Sequence, residues 1–226
     1  MAARLPDFHD LVCETYHRSV HGYPGVFASI RQCLACVSAA ICRESEALMT
    51  LWSLLIAAGA LSVERICYAW VWYYPRSFRG FCSHPGIARF GEPVDVLRNL
   101  FVCFKILQLS VFFGWCYIYG QGMIISPGEV GIWIGVGGLL IAIGQLLNIG
   151  VFIRLGKTGV FYGNRLGYHV GWCEGLPFSL VRHPQYVGAV LSVWGFFMTT
   201  RFPYDDWFVL PILQTGYYAA GAYLER

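Results

Sequence analysis

The polar residues best suited to chemistry lie in one segment between two apolar stretches. Arg182, His183, Pro184 and Tyr186 fall within five consecutive positions. An arginine presents a rigid fork of donors to a carboxylate or phosphate, and a histidine gains or loses a proton near neutral pH. A proline suits the first turn of a following helix, whose free amide groups form an anion site. An ordinary basic loop before a helix remains the alternative on composition alone.

Three further polar residues lie inside or at the end of apolar runs. Gln145 and Asn148 are three positions apart and share one helix face, so these amides should face a protein interior or a cavity. Glycines in the same run allow close approach by a neighbouring helix or by a ligand. Glu225 follows the last apolar run, where it is able to hold a cation or accept a proton, or to be a solvated helix end.

The composition indicates that a membrane positions these residues. Of 226 residues, 57% are hydrophobic and 13% charged, with a mean hydropathy of +0.53, which is more apolar surface than a soluble core can bury. The net charge of +3 is not arranged in a dense cationic stripe, so we expect no nucleic-acid partner. Cys33 and Cys36 form a CxxC without a second ligand pair, so we expect no metal site.

Long uncharged runs predict an all-α, polytopic transmembrane protein with about four to five spans. Glu64 and Arg65 end the first run or divide it into two interfacial pieces, and Lys105 in the second run can snorkel. A short polar turn joins the last two runs into a C-terminal helical hairpin. The runs are Ala47–Val63, Leu100–Ile118, Val130–Ile153, Val187–Thr200 and Trp207–Leu224.

Loop charges predict the sidedness of these spans. Residues 75–99 and 154–182 each hold four Lys or Arg, whereas 119–129 holds none. Cytoplasmic loops retain basic residues, so both basic loops and the C-terminus are expected in the cytosol, with the N-terminus opposite.

Two domains are expected along the chain. Residues 1–46 are an extramembrane or interfacial arm, in which Val26–Ile41 either lies on the membrane surface as an amphipathic helix or is a poorly ordered tail. Residues 47–226 are one membrane unit, with the motifs concentrated in 142–226.

From about Gly144 to Glu225 the chain resembles the phospholipid N-methyltransferases, which convert phosphatidylethanolamine derivatives to phosphatidylcholine. The order and spacing of several strings carry this resemblance. They are Gly144-Gln145-Leu146-Leu147-Asn148, Gly159-Val160-Phe161-Tyr162-Gly163, Leu176-Pro177-Phe178-Ser179 and Arg182-His183-Pro184-Gln185-Tyr186-Val187-Gly188. The likeness continues loosely into the first half, at Trp70-Val71-Trp72-Tyr73-Tyr74-Pro75.

The resemblance implies a cofactor, S-adenosylmethionine, and a set of site residues. The residues implied to bind the cofactor are Ala142, Ile143, Gly144, Arg182, His183, Tyr186, Leu224 and Glu225, with Ala142 standing where the family has glycine. His183 and Glu225 are the implied catalytic residues, and either one assists proton removal from the lipid amine. The family further implies a phospholipid substrate in the bilayer, no metal and residence in the endoplasmic reticulum; the methylation step and the oligomeric state stay open.

Three other functions share parts of this pattern. The Arg-His-Pro-x-Tyr string also occurs in isoprenylcysteine carboxyl methyltransferases and, more distantly, in NADPH-dependent membrane sterol and steroid reductases. The reductase hypothesis predicts that Lys157 and Arg165 contact a nucleotide 2′-phosphate. A non-catalytic scaffold whose polar loop binds a partner is the third, and it predicts no affinity for either cofactor.

Overall fold

The computed structural model describes residues 24–120, 122, 131–171, 173 and 175–225, and within 24–47 the side chain of Glu44 only. These residues form helices, turns and loops, and none of them lies in a strand. The helices are α1 (Pro24–Tyr73), α2 (Pro75–Cys82), α3 (Pro85–Ala88), α4 (Pro93–Tyr119), α5 (Gly131–Val160), α6 (Pro184–Thr200) and α7 (Val209–Leu224). The predicted polytopic helical fold class is confirmed.

Three segments of the described chain are long and apolar enough to cross a membrane: Leu48–Tyr73, Pro93–Tyr119 and Gly131–Val160. The hairpin helices α6 and α7 are shorter, with 17 and 16 residues. Glu64 and Arg65 lie inside α1, which continues to Tyr73. The prediction that this pair ends the first span is therefore wrong, because Glu64 pairs with Arg65 and with Lys105 inside the protein, so the pair need not reach the membrane surface.

The chain divides into two compact units, Met1–Leu54 and Leu55–Arg226. The described part of the first unit is the beginning of α1, which includes the backbone of Val26–Ile41. The side chains of Cys33 and Cys36 lie outside the described residues. The second unit contains the rest of α1, the other helices and every site discussed below, and the predicted division after residue 46 stays a prediction.

Glycines bring α5 and α6 into close contact at two levels. A Cβ on Gly137 would stand 2.6 Å from the carbonyl oxygen of Gly195, and a Cβ on Gly144 would stand 2.4 Å from that of Gly188. Such backbone-to-backbone approach is typical of helix packing within membranes. Gly137 and Gly144 therefore serve helix packing.

The hairpin predicted at the C-terminus is present. Trp194 of α6 donates to the hydroxyl of Thr215 on α7 at 3.0 Å. In the connecting turn, the Arg201 side chain is only 2% exposed; it pairs with Asp206 and donates to the carbonyl of Tyr119 at the end of α4. The turn between α6 and α7 therefore lies at the same end of the bundle as the C-terminus of α4.

The two basic loops meet at the opposite end. Lys157 Nζ lies 2.8 Å from Asp95 Oδ1, and the hydroxyl of Tyr168 donates to Glu92 at 3.1 Å. The end of α5 and the segment after it thus contact the start of α4. This agrees with the alternation expected from loop charge, while the assignment of this end to the cytosol stays a prediction.

Candidate functional site

A cavity of about 630 Å³ lies among helices α1, α4, α5, α6 and α7. Its volume falls within the range of small-molecule sites in proteins, roughly 300 to 1,000 Å³. Aromatic side chains supply much of the apolar wall, and charged and phenolic groups supply the remainder. The lining phenylalanines are Phe101, Phe112, Phe152, Phe161, Phe178 and Phe196.

Glu225, which follows the last residue of α7, is held by two tyrosines. The hydroxyl groups of Tyr162 and Tyr186 both donate to its Oε1, and they lie 3.3 Å from each other. Burial, with the adjacent Tyr186 hydroxyl and the Glu225 carboxylate, raises the pKa of Tyr162 well above its ordinary value. Tyr162 therefore stays protonated and remains a hydrogen-bond donor. The segment after α5, helix α6 and the end of α7 thus meet at the carboxylate of Glu225.

The turn after α5 directs Tyr162 to this position. Gly156 has φ +63° and interrupts the helical geometry near the end of α5, a conformation that glycine adopts without a steric penalty. Tyr162 itself has φ +53°. The segment from Gly156 onward therefore leaves the direction of the span and carries Tyr162 to the end of the cavity.

His183 and Arg182 lie at the start of α6, which begins at Pro184 as the proline indicates. His183 occupies the N-cap position but forms no side-chain capping hydrogen bond, and its ring stacks on Tyr186 with centroids 6.0 Å apart. Both His183 and Arg182 line the cavity. The imidazole is thus available to a molecule bound there.

A buried ionic cluster forms another part of the wall. Glu64 is 6% exposed. Its carboxylate lies 2.8 Å from Arg65 Nη2 and 3.1 Å from Lys105 Nζ. The ammonium of Lys105 also donates to Gln108 at 2.8 Å and to the hydroxyl of Tyr218 at 3.3 Å. The prediction that Lys105 snorkels to the membrane surface is wrong, since it pairs with Glu64 across two helices.

Arg65 is enclosed by aromatic rings. The carbon of its guanidinium lies 4.3 Å from the ring centroid of Tyr218, 5.1 Å from that of Tyr68 and 5.9 Å from that of Tyr186. Its Nε is buried and has no hydrogen-bond partner among the described residues. The rings stabilise the positive charge through cation–π contacts but leave this donor without an acceptor.

The two amides in α5 face the cavity, as their spacing predicted. Gln145 donates to the hydroxyl of Ser192 at 2.8 Å. The Oδ1 of Asn148 is buried without a partner in the described structure. Both residues line the cavity, and the Oδ1 of Asn148 packs next to Gly188 of α6, where an added Cβ would stand 2.8 Å away.

Half of the cofactor residues implied by the resemblance line the cavity: Arg182, His183, Tyr186 and Glu225. The others do not. Ala142 and Ile143 are exposed on α5 and Gly144 packs against α6, while Leu224 is exposed and accepts a hydrogen bond at its carbonyl from Tyr73. Their role in cofactor binding stays a prediction. Over the described part of the chain, no three His, Cys, Asp or Glu side chains converge in a way that could hold a metal ion.

Sequence reasoning missed the ionic cluster. Glu64 and Lys105 are 41 positions apart and belong to different helices, so no local pattern connects them. The available signal was their presence within apolar runs, since ionisable residues inside a membrane generally pair with one another or serve a functional site.

An all-helical, membrane-spanning chain with ionisable and phenolic groups around a cavity has the architecture of a membrane-embedded enzyme. Residues 132–226 match the model of a family described as phospholipid methyltransferase. The chain is also 29% identical over 139 residues to the phosphatidyl-N-methylethanolamine N-methyltransferase of Arabidopsis thaliana, covering 62% of this chain and 75% of that relative. No solved structure shows a significant match.

The C-terminal part of the chain, residues 132–226, therefore resembles the phospholipid methyltransferase family. The family resemblance and the expectation that the protein is an enzyme are both confirmed. Tyr162, His183, Tyr186 and Glu225 lie within the matched residues, whereas the ionic cluster on α1 and α4 lies before them.

Proposed function

We propose that this protein transfers methyl groups from S-adenosylmethionine to the amine headgroup of phosphatidylethanolamine derivatives, towards phosphatidylcholine. The observation that carries the proposal is the meeting of Glu225, Tyr162, Tyr186 and His183 at one end of a largely apolar cavity. All four residues belong to the part of the chain that matches the family.

The residues of the cavity fit the charges of S-adenosylmethionine. This cofactor carries a positive sulfonium, an ammonium group and a carboxylate. Glu225 offers an anion to the cationic groups, and Arg182 offers a bidentate fork to the carboxylate.

The cofactor supplies a methyl group activated by its bond to a positively charged sulfur. The protein's own part is to align the acceptor amine and to keep that amine neutral. Two groups are placed to take its proton: His183, and Glu225 through Oε2, which accepts no hydrogen bond from another described residue. Alignment in a near-attack geometry contributes roughly 7 to 11 kcal/mol, and the apolar walls exclude competing water.

The proposal includes location. The amine end of the site lies at the same end of the bundle as the two basic loops, because Glu225 contacts Tyr162 and Lys157 contacts Asp95. That end faces the cytosol, where a water-soluble cofactor reaches it, and the membrane is that of the endoplasmic reticulum.

The test is transfer of labelled methyl from S-adenosylmethionine to monomethylated phosphatidylethanolamine in membranes that carry the protein. We expect label in the lipid with the wild-type chain. His183→Ala and Glu225→Gln should each reduce the rate of methyl transfer. The variant that lacks the catalytic base should reduce this rate by about 10²-fold or more. The matched control is His169→Ala, which removes an exposed histidine of the same connection that does not line the cavity.

Each result leads to one conclusion. Wild-type rates in both site variants would remove His183 and Glu225 from the mechanism. Absence of label in any phospholipid, with the protein correctly inserted, would refute the proposed acceptor. Label in a prenylcysteine substrate, or cofactor-dependent oxidation of NADPH, would then identify one of the two alternative enzymes, and inactivity with no affinity for either cofactor would support the scaffold.

A further inference from the structure

The ionic cluster on α1 and α4 carries an excess positive charge that methyl transfer at Glu225 does not use. Glu64 contributes one negative charge, and Arg65 and Lys105 contribute two positive charges. All three lie within segments long and apolar enough to span the membrane, where such residues are rare and generally functional.

Lys105 is already satisfied by the protein. Its ammonium contacts the Glu64 carboxylate, the side-chain oxygen of Gln108 and the hydroxyl of Tyr218, which matches the three donors of the group. The cluster as a whole keeps one excess positive charge, and Arg65 is the cation of the cluster that retains a donor without an acceptor.

Arg65 has the features of an anion-binding residue. Only its Nη2 contacts Glu64, and its Nε–H is buried without an acceptor among the described residues. The surrounding tyrosine rings hold the guanidinium in place. Because Arg65 lines the cavity, an anion bound in the cavity can satisfy its positive charge.

The position of Arg65 relative to Glu225 indicates which kind of anion binds there. A Cβ on Gly221 would stand 3.7 Å from Arg65 Nη1 and 3.8 Å from the hydroxyl of Tyr186, which donates to Glu225. Gly221 precedes Glu225 by four residues, or about 6 Å along a helix. The guanidinium of Arg65 therefore lies beside the turn of α7 that precedes Glu225, on the same wall of the cavity.

We propose that Arg65 binds the phosphodiester of the acceptor lipid while the lipid amine lies at the Glu225 end of the cavity. In an ethanolamine phospholipid the amine, the phosphate and the acyl chains follow one another from water into the bilayer. Glu225 can pair with the amine, Arg65 with the phosphate, and the phenylalanine-lined wall with the acyl chains. Glu64 and Lys105 are positioning residues for Arg65. This inference rests on the proposed function, and it names the residue that recognises the substrate as a phospholipid.

The experiment compares two acceptors with the same acyl chains and the same methylamine terminus, one joined by a phosphodiester and the other by an uncharged carbamate. In Arg65→Gln we expect the apparent KM for the phosphodiester lipid to rise about 10- to 100-fold, the usual effect of losing a hydrogen bond to a charged group. The KM for the carbamate lipid and for S-adenosylmethionine should not change. Arg76→Gln, which removes an exposed charge on α2, is the matched control and should behave as the wild type.

The other outcomes overturn the proposal. An equal loss on both lipids would give Arg65 a structural role, and a weaker affinity for S-adenosylmethionine alone would assign it to the cofactor carboxylate. Arg65→Lys keeps the charge without the fork; full activity of Arg65→Gln and Arg65→Lys on the phosphodiester lipid would exclude phosphate recognition.

A binding measurement separates this proposal from the proposed function. Native mass spectrometry of the purified protein reports whether monomethylated phosphatidylethanolamine stays bound without any turnover. If the wild type transfers no methyl group but retains this lipid, and Arg65→Gln loses it, the methyltransferase assignment fails and the anion site stands. Equal retention by wild type and variant would refute the anion site.

Discussion

Replacing Gly144 by alanine distinguishes a packing role for this residue from the cofactor contact implied by the family resemblance. The added Cβ would stand 2.4 Å from the carbonyl oxygen of Gly188 and 2.4 Å from the hydroxyl oxygen of Ser192. A contact of 3.4 Å is ordinary, so the atoms have to separate by about 1 Å. The carbonyl belongs to the backbone of α6 and cannot move alone, so α5 and α6 must shift apart locally.

Overpacking of this kind costs about 1 to 3 kcal/mol. For a protein of this size that lowers the unfolding midpoint by about 2 to 12 °C, at roughly 2 to 4 °C per kcal/mol. The matched control is Gly138→Ala on the same helix, where an added Cβ meets no atom within 4 Å. An alanine there should be neutral or stabilise the helix by up to about 1 kcal/mol.

The assay is thermal unfolding of the purified variants in detergent micelles, with the affinity for S-adenosylmethionine measured on the same samples. If Gly144 serves helix packing, the unfolding midpoint of Gly144→Ala should lie well below that of Gly138→Ala. If the two variants melt together and Gly144→Ala binds the cofactor more weakly, the reasoning is refuted and Gly144 is a cofactor contact.

Two further substitutions test the buried ion pairs. Glu64→Gln leaves Lys105 without its counter-charge and should destabilise the protein by about 3 to 5 kcal/mol, whereas the double variant with Lys105→Met should recover part of that loss; additive losses in the unfolding midpoint would contradict this. Asp206→Asn removes the partner of the buried Arg201 and should cost a similar amount, while the exposed neighbour Asp205→Asn should change stability by no more than about 0.5 kcal/mol. Equal midpoints for the two aspartate variants would show that the Arg201 pair contributes nothing to stability.

The sequence predicted the elements whose signals are local. Long apolar runs identified the spans, and Pro184 marked the start of α6. The three-residue spacing of Gln145 and Asn148 predicted amides that face a cavity, and both line it. Hydropathy placed the hairpin as well, since two apolar runs flank a polar turn.

The rest depends on contacts between distant helices. A hydropathy analysis ends the span at Glu64, because it includes the unfavourable free energy of placing a charge in the membrane. It does not include the ion pair with Lys105, which lowers that free energy. The hydrogen bond from Tyr162 to Glu225 depends on the positive φ of Tyr162 after the end of α5. This backbone conformation could not be predicted from the sequence. The sequence indicated Glu225 as a site residue but did not place Tyr162 among the site residues.

The hairpin helices also bear on the bilayer itself. At 17 and 16 residues, α6 and α7 are each about 25 Å long, against roughly 30 Å for the hydrocarbon core of a typical membrane. Segments that fall short in this way are accommodated by local thinning of the bilayer, at a modest cost per ångström of mismatch. Headgroups next to the hairpin would then lie closer to the midplane than elsewhere. The supply of lipid to the enzyme thereby becomes a function of membrane thickness as well as of lipid concentration.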